Sequence, residues 1–162
     1  MELFKVSLDF EVYQTIDELR PEDRELLIHA EHAAGRAYAP YSLFKVGAAV
    51  RLRSGVIVTG NNQENVAYPS GLCAERVALF YTSANYPGEN VEAIAITAKA
   101  MNFSLQDPVT PCGSCRQVMM EAENQNQHKI RVIMKGGEGK IWISNSVENL
   151  LPVSFKADGL KK

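Results

Sequence analysis

The chain has 162 residues, 46% of them hydrophobic and 22% charged, which is the size and mixture of one globular domain with a sizeable core. A formal net charge of -2 and a pI near 5.9 exclude a general basic field, so a long nucleic-acid backbone is a poor partner and a small ligand a better one. Three cysteines, an odd number, exclude a fully paired disulfide framework.

The opening MELFKVSLDFEVYQ has neither a basic leader with an apolar stretch nor a small-residue cleavage site. No apolar run elsewhere approaches the roughly 18 residues that a bilayer span requires. The expectation is a cytoplasmic protein with reduced thiols and no membrane partner, in which the glycosylation match at Asn102-Phe103-Ser104 carries no meaning. Residues 1–20 are the least defined stretch and are read as an N-terminal extension ahead of a single domain over 21–162.

From Pro21, the residues Leu26, Leu27, Ala30, Ala33, Ala34 and Ala37 keep one apolar stripe at helical spacing, and a proline suits the first helical turn, where its missing N–H has no partner. This predicts a first helix ending near Tyr38, before Pro40. Two β-rich runs, 46–52 and 56–59, flank the turn signal Arg53-Ser54-Gly55 and read as a hairpin. A second helix is predicted over 73–84, a buried strand from Val91, and a third helix over 112–123, after Pro111. Strands follow at 130–134 and 140–143. The KGGEG link between them is far shorter than the dozen residues that a parallel crossover needs, so this pair is antiparallel. A short amphipathic piece at 147–151 closes the chain. The order αββαβαββα implies an α/β fold, a three-layer α/β/α domain with a mixed five-stranded sheet. KGGEGK lacks the strand, the spacing and the hydroxyl residue of a phosphate-binding loop and is read as a hairpin turn.

The chemistry gathers around the cysteines. Cys112-x2-Cys115 alone fits a redox pair or half of a structural zinc site, and Cys73 decides between them. Three thiolates leave one position of a tetrahedral zinc for water, which is the coordination of a catalytic site. His29, His32 and His128 remain possible fourth ligands; His29 and His32 stand three apart on the first helix, with nothing else there resembling a ligand set. Residues i and i+2 do not face each other on a helix, so Cys73 and Glu75 can approach one metal only where it lies off the helix end. Cys112 and Cys115 occupy the first turn of the third helix, and two helix N-termini aimed at one point stabilise thiolates. Zinc with three thiolates carries a net charge of -1, and Arg76 and Arg116, each beside a ligand cysteine, return positive character. Glu75 is then a proton shuttle between bound water and substrate.

Cys-Ala-Glu-Arg at 73–76 and Pro-Cys-Gly-Ser-Cys-Arg-Gln at 111–117 resemble the signature of the zinc-dependent deaminases, whose glutamate is not a ligand. With Cys at 73, the chain is similar to the small homotetrameric three-cysteine cytidine deaminases. AYAPYSLFKVGAA at 37–49 and GNNQENVAY at 60–68 match the same family, and the likeness runs over about 30–155. The resemblance implies deamination of cytidine and deoxycytidine by attack of zinc-bound hydroxide at C4, with one zinc per subunit. It implies that Phe44 packs near the pyrimidine, that Asn62 and Glu64 hold a ribose hydroxyl, and that the main chain of Ala74 meets the base edge with Glu75. Phe155, from LLPxxF, would stack on a base in a neighbouring subunit, so that active sites are completed across a homotetramer. Rival readings are a deaminase of a modified pyrimidine such as a nucleoside antibiotic, a non-catalytic zinc-stabilised interaction module, and a thiol-redox protein.

Overall fold

The computed structural model describes residues 1–126, 128–156 and 160. Its elements are β1 (Glu11–Tyr13), α1 (Pro21–Gly35), β2 (Phe44–Leu52), β3 (Ile57–Asn61), α2 (Ala74–Asn85), β4 (Val91–Ala100), α3 (Gly113–Asn126), β5 (Arg131–Lys135) and β6 (Ile141–Ser144). They build one sheet in the order β1-β6-β5-β4-β2-β3. The β4–β5 pair is parallel, with α3 in its crossover, and every other pair is antiparallel, including the closing β5–β6 pair.

The three-layer α/β arrangement agrees with the expectation, but the sheet has six strands rather than five. The additional strand, β1, comes from the first twenty residues and pairs with β6 over three residues, Glu11 with Ile143 through Tyr13 with Ile141. A run this short leaves no periodicity to read; its strand conformation comes from the edge it joins. The piece after β6 is a single 3-10 turn, Val147–Asn149, closed onto the buried Glu123 carboxylate, which accepts from the N–H groups of Ile130 and Val147 and from the Ser146 hydroxyl.

Strand alternation sorts the core onto two faces. Ala49, Ala93, Ala95, Ile133, Ile141 and Ile143 point to α1, where Leu26, Leu27 and Ala30 meet them. Ala48, Val50, Ile94, Ile96, Val132 and Met134 point the other way, against Ala78, Leu79, Met119 and Met120 of α2 and α3. Each fully buried large side chain contributes about 1.5–3 kcal/mol. α1 stops at Gly35, short of the expected Tyr38, because Arg36 and Ala37 tighten to bonds with Ala33 and Ala34, and Tyr38 turns to donate to the Asn62 carbonyl at 3.1 Å.

The seat of α2 depends on Gly60 in β3. A Cβ there would lie 2.6 Å from both the Ala74 carbonyl oxygen and the Ala78 nitrogen, so the first turns of α2 rest directly on the strand backbone. That close approach sets where the N-terminus of α2 opens, beside the N-terminus of α3.

Candidate active site

Cys73 precedes α2 in extended conformation, and its carbonyl accepts from Val77 N–H at 3.1 Å. Cys112 stands in the same position before α3, its carbonyl accepting from Arg116 N–H at 2.9 Å. Both are therefore N-cap residues, placed where helix N–H groups lack partners and favour negative charge. Cys115, one turn into α3, is fully buried. The three Sγ atoms lie within 4.8 Å of one another, with Cys73 and Cys112 at 4.0 Å. Tetrahedral zinc with Zn–S bonds of about 2.3 Å needs S···S edges of about 3.8 Å, so a small contraction fits this trio to the metal. None of the three histidines joins the group.

The electrostatics suit a cation. A hydrogen bond from Cys115, followed by one from Arg76, holds the Cys73 thiol down to about 5. Cys115 is pushed up as the donor in that bond and by its burial. Hydrogen bonding between the two sulfurs favours a thiolate on Cys73, and a metal that takes all three sulfurs must displace the remaining thiol protons. Arg76 Nη2 donates to Cys73 Sγ at 3.7 Å, while its Nε is buried without a partner, a cation held facing a place for negative charge. Arg116 lies beside the trio differently. Its Nε, Nη1 and Nη2 donate to the Pro111 carbonyl (2.8 Å), the Leu150 carbonyl (3.1 Å) and Thr110 Oγ1 (3.3 Å), which clamps the backbone leading into Cys112.

Glu75, only 4% exposed, lines a cavity of about 800 Å³ together with Cys73, Cys112 and Arg76. Burial raises its carboxyl pKa, the nearby Cys73 charge adds to the rise, and a hydrogen bond from Cys115 opposes it. A buried carboxyl with an elevated pKa beside a metal-ligand cluster is better equipped than an exposed one to take and return a proton.

The same cavity is walled by Phe44, Asn62 and Glu64. Asn62 bridges backbone: its Oδ1 accepts from Val46 N–H at 2.7 Å and its Nδ2 donates to the Phe44 carbonyl at 2.9 Å, leaving one lone pair and one N–H for a ligand. Glu64 accepts from Tyr41 N–H at 2.8 Å, Ser42 N–H at 3.3 Å and the Ser42 hydroxyl, contacts that lower its pKa, the hydroxyl foremost. Ala74 is fully buried at the first turn of α2. Phe155 is apart from these. The residue is 73% exposed and does not line the cavity, although Gln117 Nε2 donates to its carbonyl at 3.3 Å. Sequence reasoning passed over Tyr41, Tyr68, Val109 and Thr110, which also line the cavity. The first two lie within the stretches at 37–49 and 60–68, and the others immediately precede Pro111, so proximity to those motifs was the available signal.

A sequence model of the family described as "Cytidine and deoxycytidylate deaminase zinc-binding region" matches residues 20–129. The chain belongs to this family. Among curated deaminases, the cytidine deaminase of Halalkalibacterium halodurans is 38% identical over 141 residues, covering 85% of this chain and 98% of the relative. That of Sporosarcina psychrophila is 35% identical over 136 residues, with 84% and 93% covered. Among solved structures, a cytidine deaminase from Burkholderia pseudomallei superposes with a TM-score of 0.69 at 40% identity, covering 81% of this chain and 97% of that one. The deaminase fold, enzyme class and zinc requirement agree with what the cysteine trio and its buried glutamate indicate chemically.

Proposed function

We propose that the chain hydrolyses the exocyclic C–N bond of cytidine and deoxycytidine, giving uridine or deoxyuridine and ammonia. The observation that carries this reading is the meeting of three Sγ atoms within 4.8 Å and a buried Glu75 in one nucleoside-sized cavity. Cys73, Cys112 and Cys115 would hold the metal. When bound, zinc supplies Lewis acidity, lowering the pKa of a coordinated water from about 16 towards about 7.

Glu75 takes a proton from the attacking water and delivers it to ring N3 as the oxygen adds at C4; it then takes the remaining hydroxyl proton from that oxygen and passes it to the amino group, so that the C4–N bond breaks, the C4 carbonyl forms and neutral ammonia leaves. Its raised pKa supports both directions of transfer. Arg76 supports the thiolate state of Cys73, and Arg116 holds Cys112 at the mouth of α3. The Phe44 ring faces the pyrimidine, the remaining donor and acceptor of Asn62 and the Glu64 carboxylate meet the ribose, and the Ala74 main chain meets the base edge. Phe155, which does not line its own cavity, serves a neighbouring subunit of a homotetramer. No described helix is long and apolar enough to cross a membrane; the proposed setting is the cytoplasm, with residues 21–162 as the deaminase domain and 1–20 as its extension.

The test is Glu75→Gln, assayed by the absorbance loss that accompanies conversion of cytidine to uridine, with zinc measured in the same preparation. The expected result is full zinc content and a fall in kcat of about two to four decades. Near-normal turnover with zinc bound would remove Glu75 from the mechanism.

A further inference from the structure

Phe44 lines the cavity at the start of β2, and the residue before it sits in an unusual backbone conformation. Leu43, immediately before it, has φ of 56°, a left-handed conformation that side chains other than Gly and Asn rarely adopt. A residue kept there needs surrounding structure to enforce it. Part of that structure comes from the loop after β4. Met101 N–H donates to the Leu43 carbonyl at 3.2 Å, one step beyond the Phe44–Ala100 pairing. Two residues on, the Phe103 ring stacks on the Phe44 ring at 6.1 Å between centroids and 18° between planes. Phe103 lines a second cavity of about 800 Å³ on the α1 side, while Phe44 lines the zinc-side cavity.

The loop is itself fixed from below by the turn between β5 and β6. Glu138 N–H donates to the Leu105 carbonyl at 3.2 Å. A Cβ on Gly136 would sit 2.4 Å from the Asp107 carbonyl oxygen, and one on Gly139, whose φ is 99°, would sit 2.4 Å from that of Gln106. The glycines of KGGEG therefore let the loop backbone lie directly on the turn, a use that a plain hairpin does not require.

We propose that Phe103 is a positioning residue for the nucleoside substrate: seated on the glycine turn, it holds the Phe44 ring in the orientation that packs against the pyrimidine. This rests on the reading above in which Phe44 faces the base. Phe103 touches no reacting atom and acts through Phe44, so its loss weakens binding and leaves the proton-transfer machinery in place.

The experiment uses zinc-loaded enzyme carrying Phe103→Ala, Phe103→Tyr, Phe44→Ala and the double alanine variant. Phe103 is 58% exposed, so its truncation opens no core cavity. For Phe103→Ala, KM for cytidine and the dissociation constant of uridine should each rise about three- to tenfold, the scale of one offset-stacked ring pair, with kcat changed by less than about twofold. Phe103→Tyr should restore both. The double variant should bind no worse than Phe44→Ala alone, since a brace has nothing to act on once its target is gone. Unchanged KM in Phe103→Ala, or additive losses in the double variant, overturns the brace while leaving the role of Phe44 intact. Unchanged KM and uridine affinity in Phe44→Ala defeats the assignment of Phe44 itself, and the brace falls with it.

Discussion

Arg76 is a half-buried cation turned to the cysteines: Nη2 lies 3.7 Å from Cys73 Sγ, and the buried Nε meets no partner. It is the second hydrogen-bond contribution, after Cys115, that brings the Cys73 thiol down to about 5. Because zinc binds thiolates, any rise in that pKa lets protons compete with the metal, most strongly at low pH. Arg76→Gln should therefore weaken zinc about 10- to 100-fold near pH 6 and less near pH 8, read by chelator competition across that range. Equal affinities at every pH would show that the guanidinium does not support the site. The sequence made Cys73, Glu75 and Arg76 legible because a helix start obliges neighbouring residues to converge off its end. It treated Arg76 and Arg116 alike, since both follow a cysteine. What separates them is where their donors go, to sulfur in one case and to the Pro111 and Leu150 carbonyls in the other, and of these partners only Leu150 lies far away in sequence.

At the scale of elements, β1 is the part that periodicity could not reveal. Its three residues are held by β6 and by a charge network drawn from three separate segments. Arg131 of β5 donates to both Glu11 oxygens, at 2.9 and 2.8 Å, and to Asp23 of α1 at 2.9 Å. Asn145 adds a bond to Glu11 at 2.6 Å. The longer elements were legible because α1 carries an apolar stripe and β2, β4 and β5 are longer β-rich or apolar runs, signals that three residues cannot carry. The network predicts a pH dependence. Bonding to Arg131 foremost holds the Glu11 carboxyl at about 2 against an ordinary 4.5, so its contribution is fully present above pH 4.5 and is lost as pH falls from there through about 2. Allowing for partial exposure, Glu11→Gln should cost about 1–2 kcal/mol at pH 7, with the gap to the parent closing towards pH 2. Denaturant titrations at pH 7, 5 and 3 read this directly. A gap of constant size would mean that Glu11 stabilises the edge by packing rather than by charge.

At the scale of the whole molecule, the proposed homotetramer would give several exposed apolar side chains something to cover them. Phe80 and Tyr81 on α2 and Val153 and Phe155 near the C-terminus are large and at least 49% exposed. Of these, Phe155 gives assembly a consequence for catalysis, because it lies outside the cavity of its own chain. If it completes the cavity of a neighbour, two defective chains can rescue each other. A Glu75→Gln subunit retains Phe155, and a Phe155→Ala subunit retains Glu75. In tetramers co-assembled from equal amounts of both, about a quarter of the sites would pair an intact Glu75 with an intact Phe155. Measured at cytidine concentrations below KM, the mixture should then exceed the mean of the two parent activities, with light scattering reporting the mass of four chains. Activity equal to that mean would confine Phe155 to its own subunit, and a particle of one chain would remove the shared pocket altogether.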